Sequence, residues 1–162
     1  SPPSVGDMTE ETGWVFDSLV GFLRGPVWNI PILNFIEQKS LIFEPGQEHE
    51  AEYRKIHEEY KNLVDFMLGT YMEDLGISPR EFEKACHEAS SSVTEQFRQV
   101  LFEEVWAADD YPIFKRLMTQ KNVELQLQAL ELLQQRYGLV PDCYILSDVT
   151  SHDEIMETIL RK

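Results

Sequence analysis

Residues 14–37 read WVFDSLVGFLRGPVWNIPILNFIE, a strongly apolar stretch with two Trp and three Phe that is broken in the middle by Gly25-Pro26. Because Asp17 and Arg24 lie within it, no run reaches the roughly 18–20 apolar residues that span a bilayer. Acidic residues, and no basic region, precede the stretch, which argues against a signal peptide. The sequence therefore predicts two helices separated at the Gly-Pro break, and no membrane insertion.

Composition sets the class of protein and of partner. A chain of 162 residues with 43% hydrophobic residues fits one globular domain. The formal net charge of −15 argues against nucleic acid and anionic membrane surfaces as partners, and favours a partner with a basic patch. Cys86 and Cys143 are too few for a disulfide framework, so a reducing intracellular compartment is predicted.

Apolar residues recur at helical spacing along most of the chain, and no segment is typical of a strand that could build a sheet. We expect Thr9, Asn29 and Ser78 to cap helices, and Gly76 to end one. The pattern predicts an all-α, single-domain bundle of about six helices. Its parts are a flexible leader (residues 1–8) and a helical domain (9–162) with helices near 48–75, 93–107, 110–137 and 151–160.

Residues with catalytic or metal-binding chemistry form no motif. None of the four His completes HExxH, and no Gly-rich phosphate loop or Gly-x-Ser-x-Gly elbow is present. His49 with Glu52 and Tyr53 is a weak suggestion of a metal site, against the alternative of a solvated surface His. Cys86 and His87 are neighbours on a helix and do not face each other. The sequence predicts no enzyme, no metal and no cofactor.

Three segments, residues 13–44, 53–77 and 110–143, resemble the BART-like domain family. They carry the long patterns FLRGPxWxIPILxFxEQK and FKxxMxQKNxExQLQA, whereas residues 86–109 follow the family pattern more loosely. The resemblance implies a monomeric six-helix bundle that binds a GTP-bound ARF-like small GTPase without catalysis. It implies contact with the GTPase's switch regions and with its amphipathic N-terminal helix, in ciliary trafficking. Cytoplasm and cilium or flagellum are the implied locations, and the nucleus is left open.

The resemblance also implies a hydrophobic groove, which we place between the second half of the 48–75 helix and the last long helix. Its predicted contact residues form two helical rows and a floor: Val64, Met67, Leu68, Tyr71, Phe97, Leu101, Phe114, Leu117 and Met118. Leu117→Asp or Met118→Asp is expected to weaken partner binding at least about tenfold while helix content is retained. Loss of folding in both variants would mean that this row is core.

Two further interpretations remain open. The same apolar surface could serve a structural assembly module of the axoneme or transport machinery, which binds an amphipathic helix without nucleotide dependence. An enzymatic interpretation, GTPase activation, would need an exposed catalytic Arg, for which Arg98 and Arg116 are the candidates. The aromatic residues of the opening stretch (Trp14, Phe16, Phe22 and Trp28) are assigned to the core, with Trp28 at the Gly-Pro corner.

Overall fold

The computed structural model describes residues 5–46, 48–91 and 93–138. These residues form six helices and no strand, which confirms the predicted all-α bundle. The helices are α1 (Val5–Arg24), α2 (Pro26–Ser40), α3 (Glu50–Leu75), α4 (Pro79–Ser90), α5 (Glu95–Trp106) and α6 (Tyr111–Tyr137). The predicted helix at 151–160 lies outside the described residues.

The break between α1 and α2 lies at Gly25-Pro26, as predicted, but Asn29 does not cap α2. Gly25 is the N-cap, with φ −89° and ψ 167°, and Pro26 opens the helix, because its fixed φ suits the first helical position. Asn29 lies inside α2, where its side-chain amide donates to the carbonyls of Leu23 (3.2 Å) and Gly25 (2.9 Å). Asn29, which we expected to start α2, therefore stabilises the junction between α1 and α2 through these two hydrogen bonds.

Other helix ends follow local capping signals. Ser78 and Glu81 form a reciprocal capping box, in which the Glu81 amide donates to Ser78 Oγ (3.2 Å) and the Ser78 amide donates to Glu81 Oε2 (2.8 Å). Gly76 ends α3 with φ +69°, the left-handed conformation that favours glycine. The prediction for α1 was wrong in its start: the helix begins at Val5, ahead of Thr9. Nothing between these two residues breaks a helix as Pro does.

Aromatic rings from several elements form the centre of the core. The ring of Phe43 stacks on that of Tyr53 with centroids 4.3 Å apart and meets the edge of Phe114 at 5.7 Å. Tyr60 packs on Phe114 at 5.0 Å, and its hydroxyl donates to the backbone carbonyl of Glu104 at 2.5 Å. This hydrogen bond gives the Tyr60 hydroxyl a partner while the Tyr60 ring remains buried. The rings thereby join α3, α5 and α6 around one interior.

A buried amide ties the end of α2 to α6. The side-chain amide of Asn122 donates to the Ser40 carbonyl at 3.0 Å, and the Asn122 carbonyl accepts from the Gln126 amide at 2.5 Å. Ser40 and Asn122 are the buried polar residues of the described core. The Ser40 carbonyl also accepts from the Phe43 amide at 2.9 Å, so Asn122 adds a second donor from a distant part of the sequence at the end of α2.

The opening stretch packs mostly as predicted. Phe16 and Trp28 are buried, and the half-buried Phe22 stacks on Tyr71 with a centroid distance of 4.3 Å. Trp14 was assigned to the core wrongly, since 56% of its surface is exposed. No single helix among the described residues is long and apolar enough to cross a membrane; the pair Gly13–Arg24 and Pro26–Ser40, bent by 47°, meets that test only by length and composition.

Candidate functional site

The structure divides the nine predicted groove residues between the core and the surface. Four of them are buried in the core, namely Val64, Met67, Phe114 and Met118. The other five are half-buried or exposed: Leu68, Tyr71, Phe97, Leu101 and Leu117. The four buried residues belong to the core cluster, to which α1, α2 and α5 also contribute side chains. Within the described residues, these four side chains therefore offer almost no surface to a partner, and Met118→Asp becomes a test of the core.

An open apolar cleft lies instead between α4 and α5. Its volume is about 380 Å³, and α1 and α3 provide its floor through Leu19 and Leu68. The remaining lining residues come from the two walls: Phe82, Glu83, Cys86, His87, Arg98, Phe102, Val105 and Trp106. We call this the α4/α5 cleft. Leu68 is the one predicted contact residue that lines it.

Cys86 and Arg98 are the lining residues of the α4/α5 cleft whose chemistry the structure defines best. Burial raises the pKa of the Cys86 thiol to about 11, so the sulfur is protonated and a poor nucleophile near neutral pH. Arg98 donates from Nη2 to Glu95 Oε2 at 2.6 Å, while its buried Nε has no hydrogen-bond partner among the described residues. The cleft thus has mostly apolar walls, with Glu83, His87 and Arg98 as its charged or titratable lining residues besides Cys86.

A second cleft lies on the other side of α5, against the junction of α1 and α2. It encloses about 420 Å³ and is lined by Leu23, Arg24, Trp28, Asn29, Phe97, Val100, Leu101 and Glu104. We call it the α2/α5 cleft. Phe97 and Leu101, both predicted contact residues, lie here and not with Leu68. Glu104 Oε2 accepts a hydrogen bond from Trp28 Nε1 at 3.1 Å.

Histidine and carboxylate side chains of the described residues assemble no group of three or more that could hold a metal ion. His57 packs on Phe114, and its Nε2 lies 2.8 Å from the Ala107 carbonyl, so its role is structural. His49 meets the ring of Tyr53 edge-on. The weak suggestion of a metal site at His49 gains no support from this geometry.

A family model described as the ARF-like 2 binding protein BART matches residues 11–127. The chain belongs to this family. The match takes in both clefts in full and ends at Leu127, after which the rest of described α6 is half-buried or exposed. The BART match therefore coincides with the packed part of the bundle.

A Caenorhabditis elegans relative, named "Cilia- and flagella-associated protein 36", is 32% identical over 142 residues. The aligned region covers 88% of this chain and 21% of the relative. The chain thus spans about a fifth of the length of that relative.

Sequence reasoning missed most of the α4/α5 cleft, including Phe102, Val105 and Trp106. Helical periodicity assigns apolar residues to a face but cannot tell a helix neighbour from a partner as the group that covers them. One signal was available in α5, whose apolar residues Phe97, Val100, Leu101, Phe102, Val105 and Trp106 are too widely spread around the helix for a single inward face. Such a helix has apolar surface left over on both flanks.

Proposed function

We propose that this chain is a non-catalytic effector domain that binds a GTP-loaded ARF-like small GTPase, with the GTPase's amphipathic N-terminal helix in the α4/α5 cleft. The observation that carries the proposal is this open apolar cleft between two helices, within a chain of the BART family. Amphipathic helices bind such grooves through anchors at i, i+3 or i+4, and i+7. A helix laid along the cleft would meet Phe82 and Cys86 on one wall and Phe102 and Trp106 on the other.

Charge supports a ligand with a basic side. The chain carries a formal net charge of −15, and Glu83 lies at the wall of the cleft. A helix with one apolar and one basic side would bury the first and expose the second to this negative field. The name of the C. elegans relative supports a place in the cilium or flagellum, to which the proposal adds the cytoplasm.

Filling the cleft tests the proposal. We expect Cys86→Trp to weaken binding of a GTP-locked ARF-like GTPase, and of a peptide of its N-terminal helix, by at least about tenfold. The reason is that the larger side chain occupies the space of an apolar anchor. Titration by fluorescence anisotropy measures both affinities, with circular dichroism to confirm the fold. Cys86→Ser, which barely changes the volume, is the matched control; full binding by the Trp variant would place the helix elsewhere.

Nucleotide dependence separates this function from a structural assembly module. An effector prefers the GTP form, whereas an assembly module that holds a permanently exposed amphipathic helix has no reason to discriminate. Titration of the domain with the same GTPase in its GTP-locked and GDP-bound forms distinguishes them. Equal affinity for the two forms would favour the assembly module.

A further inference from the structure

Glu104 has a half-buried carboxylate that lines the α2/α5 cleft. Oε2 accepts from the indole of Trp28, and no ion pair to Glu104 exists within the part of the chain that the structure describes. Burial is the largest effect on Glu104 and raises its pKa. The Trp28 hydrogen bond lowers that pKa, the nearby Glu103 carboxylate raises it, and Lys121, beyond ion-pair distance, lowers it slightly. The neighbouring Glu103, in contrast, is paired with Arg116 at 3.4 Å.

A carboxylate withdrawn from water costs free energy unless a cation and further hydrogen bonds compensate it. The Trp28 indole provides one neutral donor only. The fold therefore bears an electrostatic cost at Glu104 that a cationic ligand in the cleft would offset.

The rim of the cleft is apolar and exposed. Val100 is 77% exposed and Phe97 41%, whereas Phe102 on the same helix is buried. An arginine suits this combination better than a lysine, because its stem can pack on Val100, its flat guanidinium can stack on Phe97, and it is less strongly hydrated. The site therefore selects for an arginine presented by a partner.

The two clefts flank the same helix. Phe102, Val105 and Trp106 line the α4/α5 cleft, while Val100 and Glu104 line the α2/α5 cleft. A protein laid across α5 would therefore cover both clefts. This continuity makes one partner, and not two, the simplest occupant.

We propose that the Glu104 carboxylate receives an arginine from the body of the GTP-loaded GTPase, outside its N-terminal helix, a contact that rests on the proposed function. The α4/α5 cleft then holds the helix, and the α2/α5 cleft holds the arginine. Arg24 also lines this cleft, and within the described residues no ion pair joins it to Glu104.

Glu104→Gln tests the contact with little change of shape, since the amide oxygen can still accept from Trp28. We expect affinity for the intact GTP-locked GTPase to fall at least about tenfold, and affinity for the isolated N-terminal-helix peptide to stay unchanged. The melting temperature should not fall, because the variant removes a partly desolvated charge. Glu103→Gln is the matched control and should bind the intact GTPase as the wild type does.

Each outcome bears on a different step. Full binding of the intact GTPase by Glu104→Gln would overturn the contact and leave the helix cleft standing. An equal loss for the peptide would mean that Glu104 acts through the shape of the bundle, which also overturns it. A lower melting temperature would show an internal pair with Arg24 instead. If wild-type chain binds neither ligand, the proposed function fails, and the contact with it.

A double-mutant cycle identifies the arginine. Each surface arginine of the GTPase outside the N-terminal helix is changed to Gln and titrated against wild type and Glu104→Gln. We expect one arginine whose loss costs affinity only when Glu104 is present. Independent, additive effects for every arginine would overturn the contact even if Glu104→Gln binds weakly.

Discussion

At the scale of a single residue, Trp28 stabilises the junction between α1 and α2. Its side chain is 1% exposed, its ring lies 5.9 Å from that of Phe22, and its indole N–H donates to Glu104 on α5. A residue that fills the corner and also satisfies a distant carboxylate couples packing to a polar contact. The corner is therefore sensitive to both the volume and the polarity of this side chain.

Trp28→Ala should lower the free energy of unfolding by about 3–5 kcal/mol, since it removes a large buried side chain and leaves a cavity. Denaturant unfolding followed by circular dichroism measures the change. Trp14→Ala is the matched control, because Trp14 is more than half exposed and its truncation should cost far less. Equal losses for the two variants would contradict the assignment of Trp28 to the core.

At the scale of a helix, two glycines have opposite effects on stability, one within α3 and one at its C-terminal end. Gly69 lies within the helix, and a Cβ built there would meet no atom within 4 Å. Gly76 ends the helix with φ +69°, where an L side chain is strained. The same substitution should therefore change stability in opposite directions at the two positions.

Gly69→Ala should raise the free energy of unfolding by up to about 1 kcal/mol, since alanine is the better helix former. Gly76→Ala should lower it by about 1–2 kcal/mol, because the left-handed conformation crowds the Cβ. Thermal unfolding of the two variants beside the wild type measures both changes. A stabilising Gly76→Ala would mean that α3 ends in another conformation.

Local signals predicted the helix ends better than the site. Ser78 with Glu81 and the left-handed Gly76 depend on residues within a few positions of each other, so the sequence contains the whole interaction. Asn29 was misassigned because Pro26 competes for the helix start. Apolar spacing also does not identify which neighbour covers a face, and the structure places Phe114 and Met118 of the predicted row in the core.

At the scale of the whole molecule, the shape of the clefts acts on a partner at short range, and the net charge acts on it at longer range. The clefts beside α5 provide apolar area and the Glu104 carboxylate, which has no ion pair among the described residues, and these act at short range. The formal net charge of −15 acts at distances up to about a Debye length, roughly 8–10 Å at physiological salt. Long-range attraction of a basic ligand should therefore influence its encounter more than its residence.

The association rate of the GTP-loaded GTPase should fall steeply as sodium chloride rises from about 0.05 to 0.5 M, while the dissociation rate changes little. Salt screens the field that steers the basic side of the helix, whereas the apolar anchors, once seated, are not screened. Stopped-flow fluorescence on mixing and on displacement measures the two rates separately. The matched control is a peptide of the GTPase's N-terminal helix in which the basic residues are replaced by Gln. Its association rate should change little with salt. If the unaltered peptide of the GTPase's N-terminal helix also associated at a rate independent of salt, electrostatic steering would play no part in the mechanism. The clefts alone would then select the partner.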